Sequence, residues 1–341
     1  MRPPWYFVLP EERRQPSGGN IYNERIIQAL QQVGQSVEII SAIDYPQAVR
    51  RDQEGVYWVD TLILESIREV LSLQPSRAHS LLIVHHLESL APAQNQSAEK
   101  PLAQETPFLL WFQGFLATST FTRDYLRQRG LSQPIIIAEP GIDNPNLAIS
   151  DRDTETVRAL MVANLVERKG ALPWLQWLAD SVQSSDYFFL TIVGRTNIEP
   201  NYAQACINLV KKHPLLESLV NFLGSQPPSR MSRFYEEANL FISTAQMETF
   251  GMALQEARLY RLPILTLDGG YSARHIAPGE TGYVFNDIAS LGDFFLDAVQ
   301  KPQKFATLYE RAQQPSLSYP SWADTARSLV QQFDQLFRYA P

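Results

Sequence analysis

Between Leu240 and Leu267 the chain reads as an apolar strand, Leu240 to Ser243, a short loop, a helix, and a second apolar strand, Ile264 to Leu267. Two short strands joined through a helix lie parallel in one sheet, which constrains the fold more than any other feature of the sequence. The loop and helix read Glu248-Thr-Phe-Gly-Met-Ala-Leu-Gln-Glu256, two carboxylates with seven residues between them. A helix starting near Gly251 points its first N–H groups over the strand end, where their partial positive charge favours a diphosphate. Glu248 then sits on the loop and Glu256 about a turn and a half into the helix. One carboxylate can accept from sugar hydroxyls beside the phosphates and the other from the ribose. The plain alternative is a surface loop followed by a solvated glutamate, the usual fate of a single Glu.

The same alternation runs through the chain. In the first half, strands are expected at Trp5 to Leu9, Val37 to Ile40, Val56 to Val59, Leu81 to Val84, Leu116 to Ser119 and Ile135 to Ala138. Helices are expected at Tyr22 to Val33, Leu62 to Leu73 and Thr122 to Arg129, and the polar tract Ala93 to Glu105 reads as a surface loop or lid. Pro140, Gly141, Pro145 and three aspartates break the pattern over Glu139 to Thr154, which reads as an interdomain linker. A second set of strands follows at Ala159 to Ala163, Phe188 to Val193, Val220 to Leu223, Leu240 to Ser243 and Ile264 to Leu267. Trp322 to Arg338 forms a final helix. Length alone suggests two domains, each large enough for its own core.

Composition excludes several classes. A net charge of −7 without a Lys/Arg run disfavours nucleic acid and anionic membranes as partners. No apolar stretch approaches spanning length and the N-terminus lacks a signal-peptide pattern, so the expectation is a cytoplasmic protein without stable membrane insertion. The single cysteine, Cys206, forms no internal disulfide, and no Cys/His cluster has metal spacing, so no metal site and no cofactor is expected.

Ligands of parallel α/β sheets bind beyond the carboxyl ends of the strands, and candidate residues gather at those ends. Asn164-Leu-Val-Glu-Arg168-Lys169-Gly170 follows one strand, and Lys169 there supplies a compact positive charge for a leaving diphosphate without a metal. Gly194 follows the next strand. Gly18-Gly19 lies between the first strand and first helix, where glycine admits close backbone approach. It is not a Gly-x-Gly-x-x-Gly fingerprint, which argues against a dinucleotide enzyme. His85-His86 ends an apolar strand, and two successive rings present different faces. A flat acceptor could stack on Trp5, Tyr6 or Trp111, although such aromatics more often belong to the core.

The Glu248 to Glu256 segment, followed by Arg261-Leu262-Pro263, Ile264 to Leu267 and Asp268-Gly269-Gly270, resembles the retaining glycosyltransferases of the GT-B class, especially family 4. Val84-His-His-Leu-Glu-Ser, Thr118-Ser119-Thr120 and Pro140-Gly141-Ile142-Asp143 resemble stretches of a subgroup of that family. The likeness is tight from Val162 to Gly282. It departs at Arg261, where glycine is usual, and at Asn164, where arginine is common; Arg168 could replace that charge. The resemblance implies an α/β GT-B fold of two Rossmann-like domains facing across a cleft. Residues 1–148 would bind acceptor, 149–320 the nucleotide sugar, and 321–341 would cross back to the N-terminal domain.

It further implies retaining transfer of a hexose from UDP-glucose, with His85, His86, Lys169 and Glu248 as catalytic residues. Donor contacts would come from Gly18, Gly19, Asn164, Arg168, Lys169, Gly194, Glu248, Thr249, Phe250, Gly251 and Glu256. One of the two histidines would touch the donor sugar or the acceptor. The size and pattern are similar to enzymes that glucosylate reduced pterins such as tetrahydrobiopterin, so a small-molecule acceptor of that kind is expected; a sugar phosphate, lipid or polysaccharide is the alternative. A different class, a non-catalytic sugar-nucleotide-binding protein, shares the fold expectation, but the presence of both glutamates and Lys169 speaks against it.

Overall fold

Short runs of β-branched and aromatic residues that are apolar on both faces become buried parallel strands flanked by helices. The computed structural model describes residues 3–11, 17–64, 67, 79–90, 99–143, 152–314 and 318–337. They form two compact units, one from residues 1–143 with 319–341 and the other from 144–318. Among them no helix is long and apolar enough to cross a membrane.

The first unit contains β1 (Trp5–Val8), β2 (Val37–Ile40), β3 (Val56–Asp60), β4 (Ser80–Val84), β5 (Gly114–Ala117) and β6 (Ile135–Ile137). They pair in the order β2-β1-β3-β4-β5-β6, every pair parallel. Trp5, 1% exposed, and Tyr6, 5% exposed, belong to this unit's interior and offer no stacking surface. Trp111 packs edge-on against Phe112 at 5.1 Å. The Trp322–Phe337 helix lies on the same sheet, with Phe333 against Trp5 at 5.1 Å and Trp58 at 6.0 Å.

Two sequence expectations change here. The first helix spans Gly18–Gln32 rather than starting at Tyr22, because Ser17 is its N-cap and accepts from the Asn20 N–H at 3.2 Å. Gly18 and Gly19 are therefore its first turn, not a connecting loop. The expected loop over Ala93 to Glu105 is helical from Glu99 to Trp111, while 93–98 lie outside the described residues. Its buried face is Pro101, Glu105 and Leu109, and the middle member is charged, which hid the helical period. Glu105 is tolerated there because Arg129 pairs with it at 2.6 Å and the Ser89 N–H donates to it at 3.0 Å. Of the helix expected over Leu62 to Leu73, Thr61–Ile63 forms a single 3-10 turn, and only 64 and 67 of the rest are described. In the linker expected over Glu139 to Thr154, residues 144–151 lie outside the description.

The second unit contains β7 (Val157–Val162), β8 (Phe188–Val193), β9 (Val220–Gly224), β10 (Leu240–Ser243), β11 (Ile264–Leu267) and β12 (Gly282–Phe285). Their order is β12-β11-β10-β7-β8-β9, again all parallel. β7 and β10 are central neighbours, so the loops leaving their carboxyl ends, at Ala163 and Thr244, emerge side by side. Trp174, Phe188, Leu190 and Phe295 fill the interior on one face, and Tyr235, Phe241, Leu254 and Ile264 on the other.

Candidate active site

The loops after β7 and β10 are tied to each other before any charged side chain enters the site. The Thr244 hydroxyl donates to the Lys169 carbonyl at 2.9 Å, and the Gln246 N–H to the Arg168 carbonyl at 3.0 Å. Gly170 makes the approach possible: it is left-handed at φ 68°, and a Cβ there would stand 2.2 Å from the Thr244 carbonyl oxygen. Lys169, last residue of the Glu167–Lys169 turn, is thereby fixed opposite the β10 loop.

Glu248 is held from the other side. Its N–H donates to the Gly269 carbonyl at 3.3 Å, and its own carbonyl accepts from the Tyr271 N–H at 2.7 Å. Gly270 sits against that carbonyl at φ 64°, with 2.2 Å left for a Cβ, so Gly269-Gly270 acts as a clasp on the Glu248 backbone. The side chain of Glu248 accepts from Lys169 Nζ in an ion pair in which each side chain is 16% exposed. Burial, with Arg168 adding to it, holds the Lys169 ammonium below its ordinary 10.5, against the opposing pull of Glu248.

This pair borders a small pocket above the ends of β7 and β10, lined by Met161, Ala163, Lys169, Thr244, Glu248 and Leu254. The Met252–Leu259 helix begins at its edge, with Gly251 as a left-handed N-cap at φ 91° and no side chain capping it. Lys169, Glu248 and the open end of a helix are thus gathered beyond the carboxyl ends of the central strands. Thr249 is half-buried beside them. Phe250 is buried, stacked on Tyr271 at 5.3 Å, with its carbonyl 2.7 Å from His275 Nε2. His275, which the sequence reading missed, is kept neutral by burial, its pKa lowered to about 4.

The remaining candidates are placed differently. The Asn164 side chain accepts from the Arg195 N–H at 3.0 Å and shapes the loop, while Arg168 is half-buried. Gly194 closes the end of β8 by donating to the Gly224 carbonyl at 3.0 Å. Glu256 does not line the pocket; its carboxylate accepts from the Tyr235 hydroxyl at 2.6 Å. Tyr235 is buried and stacked on Tyr260 at 5.2 Å, and its hydroxyl is pushed far above its ordinary value by burial and by Glu256.

In the first unit, His85 is buried and His86 half-buried. Gly19 approaches the His85 ring so closely that a Cβ would stand 3.2 Å from it. Asp60, at the end of β3 and fully buried, lies 3.6 Å from His85 Nε2. Burial raises the Asp60 carboxyl and lowers the His85 imidazole from their ordinary values, each charge opposing the shift of the other.

Arg261 explains the departure noted in the sequence. It has φ 55°, the only left-handed residue other than glycine among those described, and follows a helix end at which the Leu262 N–H returns to the Ala257 carbonyl at 2.9 Å. This is the position after a helix that glycine ordinarily fills. An L-residue there costs roughly 1–2 kcal/mol, without touching the site.

Residues 145–314 match the family described as Glycosyl transferases group 1. Over 127 residues the chain is 28% identical to the amylovoran biosynthesis glycosyltransferase AmsK of Erwinia amylovora, covering 36% of this chain and 30% of that protein. Over 116 residues it is 28% identical to the D-inositol 3-phosphate glycosyltransferase of Nocardia farcinica (strain IFM 10152), covering 33% of this chain and 26% of that protein. The match therefore spans less than a third of the length of these curated relatives. Among solved structures, sucrose-phosphate synthase from Thermosynechococcus elongatus superposes with a TM-score of 0.81 at 17% identity, over 99% of this chain and 100% of that one. Anabaena HepE in complex with UDP and glucose superposes with a TM-score of 0.73 at 16% identity, over 98% and 100%. At these identities the superpositions speak for the fold. The chain has the two-domain GT-B architecture, and residues 145–314 of it match the glycosyl transferases group 1 family.

Proposed function

We propose that the protein is a retaining hexosyltransferase that moves glucose from UDP-glucose to a small soluble acceptor, giving an α-glucoside. The observation that carries this reading is the Lys169–Glu248 ion pair beside the uncapped start of the Met252–Leu259 helix. A diphosphate placed there meets an ammonium group and free backbone N–H groups, which stabilise the charge that develops as the leaving group departs. Glu248, released from Lys169, accepts from hydroxyls of the transferred sugar, and Glu256 accepts from the ribose. HepE, whose fold this chain shares, has been solved with UDP-glucose, which supports that donor class.

Retention requires attack from the face the leaving group occupies, or a nucleophile on the opposite face. Asp60 is a poor nucleophile: it is fully buried and accepts from the Leu62 N–H at 2.7 Å and from the Asn23 amide. We therefore assign front-face attack, with the departing phosphate oxygen taking the acceptor proton and a histidine of the first unit contacting the acceptor. A reduced pterin such as tetrahydrobiopterin is the first acceptor to test. A sugar phosphate, lipid or polysaccharide taken in its place would change the acceptor and leave the donor chemistry standing. NMR of the product tests the whole reading: an α anomeric proton is expected, and a β product contradicts retention. Among the described residues no group of three His, Cys, Asp or Glu is arranged to hold a metal, and Lys169 supplies the charge a metal would bring. Transfer is therefore expected to persist in EDTA; strict loss restored by magnesium or manganese contradicts that.

Tyr235 gives a smaller prediction. Tyr235→Phe removes the hydrogen bond that orients Glu256, a contribution of about 1 kcal/mol, so UDP binding should weaken about fivefold. Calorimetry with 2′,3′-dideoxy-UDP should show no such loss. Equal weakening for both nucleotides would mean that Tyr235 supports the fold rather than the ribose contact.

A further inference from the structure

Asn23, Asp60 and His85 come from three separate elements of the first unit and are 2%, 0% and 8% exposed. The Asp60 carboxylate is only an acceptor, and one oxygen takes the Leu62 N–H at 2.7 Å. Its other oxygen accepts from Asn23 Nδ2, so the Asn23 amide turns its Oδ1 away, toward His85 Nε2 at 3.0 Å. An amide oxygen cannot donate, so Nε2 must carry the hydrogen. Nδ1 makes no hydrogen bond to any described residue.

We infer that Asn23 and Asp60 are positioning residues that lock His85 in the Nε2–H tautomer and present Nδ1 as a hydrogen-bond acceptor for a hydroxyl of the acceptor substrate. This rests on the proposed transferase function and on the assignment of His85 to that reaction. The low exposure of the ring favours the neutral form that the inference needs. The Tyr22 ring packs edge-on against the imidazole at 5.2 Å, and the missing side chain of Gly19 leaves the room the ring occupies.

The test is histidine-selective 15N NMR together with kinetics on Asn23→Ala and Asp60→Asn. Wild type should show His85 as a neutral Nε2–H imidazole at neutral pH. Asn23→Ala removes the acceptor for that hydrogen, and Asp60→Asn replaces one acceptor oxygen with a donor and frees the Asn23 amide to turn. Both should mix the tautomers and lower kcat tenfold or more, with UDP affinity within twofold of wild type. If one variant fails to fold, the other decides. An Nδ1–H tautomer or an imidazolium in wild type overturns the inference, as does an unchanged kcat in the folded variants while His85→Ala is impaired. An unchanged kcat in His85→Ala overturns the assignment of His85 itself, and the inference with it.

Discussion

Lys169→Ala is expected to lower transfer by about two to three orders of magnitude while the second unit stays folded. The ammonium is the compact cation at the carboxyl end of β7, and it is held in place by Gly170, Thr244 and Glu248 rather than by its own flexible stem. The charge also sets a pH dependence. Lys169 must be protonated to stabilise a departing diphosphate, and that form is lost as pH rises through its folded pKa. Because burial lowers that pKa, the alkaline limb of kcat/KM, which reports the free enzyme, should fall below the ordinary lysine value of 10.5. Lys169→Arg should move the limb upward and retain part of the activity. A loss smaller than tenfold in Lys169→Ala contradicts the assignment.

The two glutamates should separate binding from transfer. Glu256→Ala removes an ionised acceptor that contributes about 1.5–3 kcal/mol, so UDP affinity should fall roughly 10- to 100-fold. Glu248→Ala should leave UDP affinity unchanged or tighter, because it frees Lys169 from its ion pair to face the diphosphate. Its loss should appear in kcat. Calorimetry with UDP on both variants checks the division, and equal losses of affinity contradict it.

How much of this was legible depended on whether the signal was local. The strands Leu240–Ser243 and Ile264–Leu267 were read to the residue because apolar runs between turn signals are local. The Glu99–Trp111 helix was not, because Glu105 at the centre of its buried face is matched by Arg129, 24 residues away. Lys169 and Glu248 were each named from strand-end position, but their contact joins residues 79 apart. Tyr235, Asn23 and Asp60 had no distinguishing pattern; they acquire meaning only through the partners that folding supplies. Arg261 shows the converse: its departure from glycine was visible in the sequence, whereas the positive φ that makes glycine usual there required the backbone.

The position of UDP in a crystal structure of the complex tests the central claim most directly. The account predicts the diphosphate between Lys169 Nζ and the first N–H groups of the Met252–Leu259 helix, with the ribose hydroxyls on Glu256. A nucleotide bound away from Lys169, or with its ribose turned from Glu256, contradicts it.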